Sequence, residues 1–526
     1  MIEALRTTLL CCGRGRPGLA IGRRRALALL GLAAFALLLL PARGFTQADR
    51  PPQTDPGNPA FDIARAIASY GLTADQVGFH VIDTATGMIV ASQNPDSAMI
   101  PASVAKVPTT LAALDILGGD YRFRTDVLAG GPLVGGVVQG DLYLRAGGDP
   151  FLTSDDLAAL AERLHAAGVL GATGHFVYDA TLYPGVPEID PRQPETAAYN
   201  TGVSAFAINF NIINVHWSRA GGTLAAQATT NTDTRRVAAS TIRFGPVPPG
   251  LPWSHFFTAA DDAAGEAWQL APALPPEGED WLPVRQPAPL TAAVFAALAR
   301  EEGLTLAAPE SGVTPAGAVV LATHQSRPLT EIVRGVLRYS NNLSAEMVGL
   351  AAMRALAGQP VEIAQSGQLM GFWLSERFPG IDWQGFQMDN HSGLSTASRV
   401  TSRQVADLLA ATNGQRFGDG EYVDLLRMVP WVGELNEERR ADGLPPVSIR
   451  AKSGTMNYAV GLAGMLEPGD GRRFAFAIFV NDQGARAALD AAVDDAAREV
   501  NGQTRAWLNQ ARLLERDLLT HWALAL

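Results

Sequence analysis

The sequence predicts a mixed α/β (α+β) fold in which an antiparallel sheet is combined with helices. Near the start of the folded region, residues 78–83 and 88–92 have the pattern of a β-hairpin. Near the end, three apolar segments separated by turn residues predict an antiparallel meander, at residues 447–453, 459–466 and 474–480. Apolar side chains then recur at helical spacing, which predicts a core helix over this sheet, at Trp507, Ala511, Leu514, Leu518 and Trp522.

The chain is long enough for about three domains, because a typical domain has roughly 100–200 residues and this chain has 526. The hairpin and the meander are separated by a middle region, residues 119–317, that has strand and helix patterns of its own. We therefore predict one discontinuous domain, formed by residues 49–118 and 318–526, that is interrupted by this insert region.

The first 48 residues have the three regions of an export signal. Three arginines at 23–25 precede an apolar run over residues 26–40, and small residues follow at Thr46-Gln47-Ala48. This apolar run is short for a membrane span, so we predict a cleaved leader at residues 1–48 and a periplasmic mature protein. Retention of the leader as an anchor and export by a twin-arginine route stay open.

Charge and composition exclude several classes of function. The leader carries seven Arg and one Glu, so the remaining chain has a formal net charge of −17, which makes nucleic acid an unfavourable partner. Both cysteines, Cys11 and Cys12, lie in the leader, and the eight histidines form no metal-binding pattern, so we predict no metal site and no cofactor. The chain has no G-x-S-x-G motif, which argues against a Ser-His-Asp hydrolase.

The use of lysine is the most informative feature of the composition. Of 41 basic residues only two are lysines, Lys106 and Lys452. Arginine stays protonated at any working pH, whereas a buried lysine can lose its proton and act as a base. The two lysines are therefore candidates for chemistry that arginine cannot perform.

Lys106 ends an S-x-x-K element that begins at Ser103, and the apolar run to Leu117 predicts that Ser103 opens a helix. Residues three apart on a helix share a face, so the Lys106 amine can reach the Ser103 hydroxyl. A serine hydroxyl needs such a base to become a nucleophile at neutral pH.

Two further polar segments follow the Ser103–Lys106 element along the chain. Tyr339-Ser340-Asn341-Asn342 follows a predicted helix and offers the Ser340 hydroxyl and the Asn342 amide. Lys452-Ser453-Gly454-Thr455 ends a predicted strand, where two hydroxyls beside an ammonium can hold a carboxylate and Gly454 permits close backbone approach. Each segment alone is typical of an ordinary turn, but the three together with both lysines favour a catalytic site.

S-x-x-K, S-x-N and K-[ST]-G in this order resemble the signature of penicillin-recognising serine enzymes. The separations of 237 residues from Ser103 to Ser340 and 112 from Ser340 to Lys452 are similar to those of class C low-molecular-mass penicillin-binding proteins. This is the D-alanyl-D-alanine carboxypeptidase/endopeptidase family. Gly148-Asp149-Pro150 and Ser392-Gly393-Leu394-Ser395 also match it.

The resemblance implies a penicillin-binding-protein/β-lactamase-like transpeptidase fold, with helices on both faces of the sheet and two nested β-rich insert domains. It implies that Ser103 is the nucleophile and Lys106 its base, and that Ser103 and Thr455 supply the oxyanion N–H groups. Lys452 stays charged, Ser340 relays a proton to the leaving amine, and Asn342 holds the substrate amide. Ser453 and Thr455, beside Gly454, bind the terminal carboxylate.

The implied substrates are peptidoglycan stem peptides and their cross-links, with β-lactams as inhibitors. Members of the family bind the side chain of diaminopimelate with an acid and an arginine, and Asp179 matches the acid. Thr396 stands where the arginine is expected, so either Arg399 substitutes or the pocket differs. The residues before Ser392, Asn390 and His391, also depart from the acid that is usual there.

Other interpretations remain at this point. A serine β-lactamase requires a carboxylate that activates water for fast deacylation, and a non-catalytic cell-wall-binding scaffold has no need for the Ser103–Lys106 pair. A generic Ser/Lys esterase or protease ignores the D-configuration of its substrate. Loose association with a membrane surface, the oligomeric state and the balance of carboxypeptidase and endopeptidase cleavage also stay open.

Overall fold

The computed structural model describes residues 62–221, 223–232, 234–248, 257–262, 264–491 and 502–526. The predicted leader at residues 1–48 lies outside these ranges. The described chain forms two compact units, one of residues 123–326 and one that combines residues 62–122 with 327–526. The predicted insert limits, residues 119 and 317, lie a few residues before these divisions. The further subdivision of the insert into two nested domains stays a prediction.

The helices of the described residues occur in both units. They are α1 Ile63–Ser69, α2 Lys106–Leu117, α3 Ser154–Ala166, α4 Pro287–Glu301, α5 Leu329–Tyr339, α6 Asn342–Ala357, α7 Ile363–Arg377, α8 Ser402–Ala411, α9 Val432–Ala441, α10 Gln483–Asp490 and α11 Gly502–Ala525. Within the described residues, none of these helices combines the length and the hydropathy that a membrane crossing requires.

The discontinuous unit is built on a six-stranded sheet whose neighbouring strands are all antiparallel. In spatial order its strands are Ile89–Gln93, Val77–Asp83, Phe474–Asn481, Ala459–Glu467, Ser448–Met456 and Arg427–Met428. The predicted hairpin and meander are both present, and the strand with the Lys452 motif continues to Met456. A two-stranded ribbon, Arg416–Phe417 with Gly420–Glu421, also belongs to this unit.

Helices cover both faces of the six-stranded sheet. On one face, apolar side chains of α1 and α11 join the core formed by alternate strand residues, among them Phe79 and Ile478. Trp522 of α11 is 3% exposed, and its ring centroid lies 5.2 Å from that of Phe79; burial of such a side chain contributes about 1.5–3 kcal/mol. On the other face α8 packs against the central strands. The predicted core role of the last helix is therefore confirmed.

The unit of residues 123–326 contains four smaller sheets in its described part. A five-stranded sheet has the order Pro309–Ser311, Phe176–Asp179, Leu142–Arg145, Arg124–Ala129 and Val319–Gln325, and a four-stranded sheet has the order Arg236–Ala238, Thr223–Asn231, Ile212–Ala220 and Glu277–Pro283. Two three-stranded sheets are Arg243–Pro246, Ala267–Leu270 and Phe257–Ala259, and Leu133–Val134, Val137–Val138 and Gly171–Ala172. Strand Val319–Gln325 pairs with Arg124–Ala129, which is why this unit ends beyond residue 317.

Candidate active site

Ser103 lies in a tight turn between the sheet and helix α2. Residues Ala102–Ala105 form a 3-10 segment, and the α-helix itself begins at Lys106 rather than at Ser103 as predicted. Ala102 has a positive φ of 44°, a conformation that costs a non-glycine residue about 1–3 kcal/mol and persists only where packing enforces it. A Cβ added at Gly393 would lie 1.9 Å from the Ala102 carbonyl oxygen. The turn that presents Ser103 is thus held by close backbone packing.

The Lys106 amine is fully buried and lies 2.9 Å from Ser103 Oγ. It also donates to the Asn342 Oδ1 at 2.8 Å and to the Ser392 carbonyl oxygen at 2.7 Å. A neutral amine has two N–H donors and one lone pair. Because the amide oxygen and the carbonyl oxygen can take the two donors, the lone pair remains for the Ser103 hydroxyl proton.

Electrostatics favour the neutral form of this amine. Burial, and secondly the positive charge of Lys452, hold the pKa of Lys106 well below its usual range, although Glu346 opposes the shift. Burial also raises the pKa of Glu346. A lysine with these surroundings can accept a proton near neutral pH, which an exposed lysine cannot.

Asn342 reaches Lys106 because it is the first residue of helix α6. The preceding residue, Asn341, caps that helix: its Oδ1 accepts from the backbone N–H of Ser344 at 2.8 Å. Ser340 lies just before the cap, with a positive φ of 58°, and ends helix α5 by donating its N–H to the Val336 carbonyl. The S-x-N motif is therefore the junction of two helices, whose geometry fixes the Asn342 side chain.

A buried polar network supports the loop that contains Ser392. The Glu346 carboxylate accepts from the backbone N–H groups of His391 and Ser392, at 2.9 and 2.8 Å. The His391 Nε2 lies 2.7 Å from Ser366 Oγ, and burial lowers the pKa of His391 to about 3, so this imidazole is neutral. A Cβ at Gly349 would lie 2.1 Å from the ring. Only a glycine at position 349 of helix α6 leaves room for this buried imidazole.

The third motif lies on the strand Ser448–Met456, close to the Ser103 turn. A Cβ at Gly454 would lie 2.9 Å from the Ser103 backbone nitrogen, so this strand can approach the turn only with glycine there. Lys452 is 2% exposed and donates to the Ser453 carbonyl oxygen. Burial, and secondly Arg427, lower the pKa of Lys452 to about 7. At neutral pH this value leaves Lys452 partly protonated, and the expectation that it is charged when substrate binds stays a prediction.

The hydroxyls of the third motif have different surroundings. Ser453 is exposed and is available to a ligand. The Thr455 Oγ1 accepts a hydrogen bond of 3.2 Å from Arg512 Nη2 of helix α11. The guanidinium thus adds a positive charge beside the predicted carboxylate site.

Comparison with protein families decides which family these features belong to. The model of the D-Ala-D-Ala carboxypeptidase 3 (S13) family matches residues 60–500, which include all three motifs and the insert region. The chain belongs to the S13 family. This confirms the resemblance to class C penicillin-binding proteins, and it makes the chain a serine-type D-Ala-D-Ala carboxypeptidase, a peptidase that acts on peptidoglycan.

Individual relatives agree with the S13 assignment. The chain is 29% identical over 514 residues to a D-alanyl-D-alanine carboxypeptidase of Actinomadura sp. (strain R39), with 91% of each chain covered. It is 26% identical over 460 residues to a carboxypeptidase of Mycobacterium tuberculosis, with 84% of this chain and 87% of the relative covered. The crystal structure of penicillin binding protein 4 from Haemophilus influenzae matches with a TM-score of 0.66 at 19% identity, covering 87% of this chain and 99% of that chain. That similarity confirms the predicted fold class.

Asp179 belongs to the unit of residues 123–326. It ends the strand Phe176–Asp179, and its carboxylate accepts from the Thr181 hydroxyl at 2.6 Å and from the Thr314 backbone N–H at 2.8 Å. Arg399, the alternative to the missing arginine, donates to the carbonyl oxygens of Thr396 and Ser398 in its own loop. The substrate-binding role of Asp179 in this S13 member stays a prediction.

Sequence reasoning missed three contributors to the site. Glu346 lies four residues after Asn342 on one helix face, a spacing that could have indicated it. The Ser392 carbonyl oxygen contacts Lys106, but no side-chain pattern identifies a backbone acceptor. Arg512 reaches Thr455 from the last helix, and because 57 residues separate the two in sequence, only the fold brings them together.

Proposed function

We propose that this protein hydrolyses the terminal D-Ala-D-Ala bond of peptidoglycan stem peptides through an acyl-enzyme at Ser103, and that β-lactams inhibit it by acylating the same atom. The observation that carries the proposal is the Lys106 amine, which is buried, lies 2.9 Å from Ser103 Oγ and has its other two contacts with oxygen acceptors. Such an amine is suited to take the serine proton.

The chemistry proceeds in two balanced steps. Ser103 Oγ bonds to the carbonyl carbon of the penultimate D-alanine while its proton passes to Lys106, and the C–N bond then breaks as the leaving amine takes a proton through Ser340. Water next attacks the ester, which releases the shortened peptide and restores the Ser103 hydroxyl. The backbone N–H groups of Ser103 and Thr455 stabilise the oxyanion in both steps.

The remaining motif residues bind the substrate. Asn342 holds the substrate amide, and Ser453 with Thr455 holds the terminal carboxylate, beside the flat backbone of Gly454. Cross-links between stem peptides are further substrates, and Asp179 contributes to side-chain recognition. The mature protein is exported to the periplasm with its leader removed, and it needs neither a metal nor a cofactor.

The proposal predicts a covalent adduct with benzylpenicillin. Intact-mass spectrometry of the exported protein after incubation with the drug should show a mass increase equal to one drug molecule. A Ser103→Ala variant should show none, because it lacks the attacking oxygen. Intact drug with no adduct on the unsubstituted protein contradicts the serine chemistry. Consumed drug with no adduct indicates a β-lactamase, since deacylation is then faster than acylation.

The two lysines predict a bell-shaped pH profile. Activity should rise as the pH rises through the lowered pKa of Lys106, because the base must be neutral. It should fall as the pH rises through about 7, because Lys452 loses the proton that attracts the substrate carboxylate. The measurement is kcat/KM for D-alanine release between about pH 5 and 10. A Lys452→Arg variant should move the alkaline limb to higher pH, and an unmoved limb contradicts this assignment.

A further inference from the structure

Arg512 is a partly buried cation that forms no ion pair in the described part of the chain, although Glu515 of the same helix acts on it electrostatically. Its guanidinium makes one hydrogen bond there, from Nη2 to Thr455 Oγ1 at 3.2 Å. On the same helix, one turn further along, Arg516 pairs with Glu434 at 2.8 Å. A cation that is withdrawn from water without an anionic partner is unfavourable, so the contrast between the two arginines needs an explanation.

The nearest candidate anion within the helix does not supply the missing charge. Glu515 lies three residues after Arg512, but it forms no ion pair with it, and its Oε1 has no hydrogen-bond partner among the described residues. Burial raises the pKa of Glu515 to about 8, despite the opposing effect of Arg512. At neutral pH this carboxyl group is therefore largely protonated and uncharged.

The position of Arg512 indicates where an anion would bind. Its single hydrogen bond ends on the hydroxyl of the third motif, and Ser453 lies two residues before Thr455, on the same face of the strand. Because the Thr455 oxygen accepts from the guanidinium, the Thr455 hydroxyl proton is free to donate to a ligand. The guanidinium, this hydroxyl and the exposed Ser453 hydroxyl together form a suitable setting for a carboxylate.

We propose that Arg512 is a specificity-determining residue that recognises the free carboxylate beside the scissile bond, acting directly and through the Thr455 hydroxyl. This rests on the proposed function, because it requires that the substrate binds along the Lys452–Thr455 segment. The last helix then contributes to catalysis as well as to the core. It makes the enzyme selective for leaving groups that carry a carboxylate over those in which it is amidated or esterified.

The test compares benzylpenicillin with its methyl ester, which differ in that carboxylate alone. The second-order rate constant of acylation is measured for both compounds with the unsubstituted protein and with Arg512→Gln, Arg512→Lys and Arg516→Gln. Arg512→Gln should lower the rate with the free acid by about 10- to 100-fold, the value of a lost charge-assisted hydrogen bond. Its rate with the ester should change less than about twofold. Arg512→Lys should recover part of the difference, and Arg516→Gln should change neither rate.

The outcomes separate this inference from the function on which it rests. Equal loss with acid and ester in Arg512→Gln, or no loss with either, overturns the inference while acylation of the unsubstituted protein still supports the serine chemistry. If the unsubstituted protein reacts with neither compound, the proposed function itself fails, and the inference fails with it. Thermal unfolding of each variant identifies a folding defect. If Arg512→Gln fails to fold, Arg512→Lys provides the test, because it keeps the positive charge and should still react faster with the free acid than with the ester.

Discussion

Replacing Lys106 with arginine abolishes acylation of Ser103 by labelled penicillin, with an expected fall in rate of at least about 10³-fold. The substitution keeps a positive charge at this position. The fall in acylation rate therefore reports the lost ability of residue 106 to accept a proton, not a lost charge. Arginine stays protonated in proteins and leaves Ser103 without a base. The measurement is the rate of label incorporation, followed by gel fluorescence or intact mass.

The second lysine of the chain supplies the matched control. In Lys452→Arg the same chemical change is made at a position whose expected role is a positive charge, so acylation should remain within about tenfold of the unsubstituted rate. Near-normal labelling of Lys106→Arg would refute the assignment of the base. If both variants lost labelling together with their cooperative thermal unfolding, the loss would be structural, and Lys106→Met would then be used to remove the amine without added bulk.

The chemistry of the site could be predicted from the sequence because it depends on local spacing. Ser103 and Lys106 are three residues apart, so any helical or 3-10 turn brings them together. The scarcity of lysine directed attention to Lys106 and Lys452, and the order of the motifs gave the family. The fold followed from the same resemblance, together with the hairpin and meander patterns.

The rest of the site depends on tertiary contacts that no local pattern encodes. The positive φ of Ala102 follows from packing against other backbone segments, among them Gly393. Likewise, the pKa of Lys452 near 7 results from burial and from Arg427 on a neighbouring strand. The charge of Lys452 therefore depends on pH, a property that the motif alone does not indicate. Arg512 and Glu346 become relevant only once helices α11 and α6 are placed.

The limits of the insert stay a prediction, and they show a related difficulty. Strand Val319–Gln325 follows the insert in the predicted division, yet its hydrogen-bond partner is Arg124–Ala129. The pairing joins residues about 200 apart, and a strand of this kind has no sequence feature that identifies its partner. Whether a strand at the boundary belongs to the insert is therefore decided by the distant strand with which it pairs.

Replacing Gly454 with alanine should lower the rate of acylation by about 10²- to 10³-fold, the usual loss when an oxyanion donor is misplaced. The added Cβ would lie 2.7 Å from the Pro101 carbonyl oxygen and 2.9 Å from the Ser103 nitrogen. Both neighbours are backbone atoms, so either the strand or the Ser103 turn must move. Such a shift should also cost about 1–3 kcal/mol of unfolding free energy.

The control for this substitution is Gly433→Ala, because a Cβ at Gly433 meets no atom within 4 Å. Gly433 lies in helix α9, where alanine is the better helix former by about 1 kcal/mol, so this variant should unfold at the same or a higher temperature and react normally. Benzylpenicillin acylation and thermal unfolding are measured for both variants. If Gly454→Ala is destabilised but reacts at the normal rate, the Ser103 N–H does not act as an oxyanion donor. If it remains stable but reacts slowly, the glycine is required by the reaction geometry rather than by the fold.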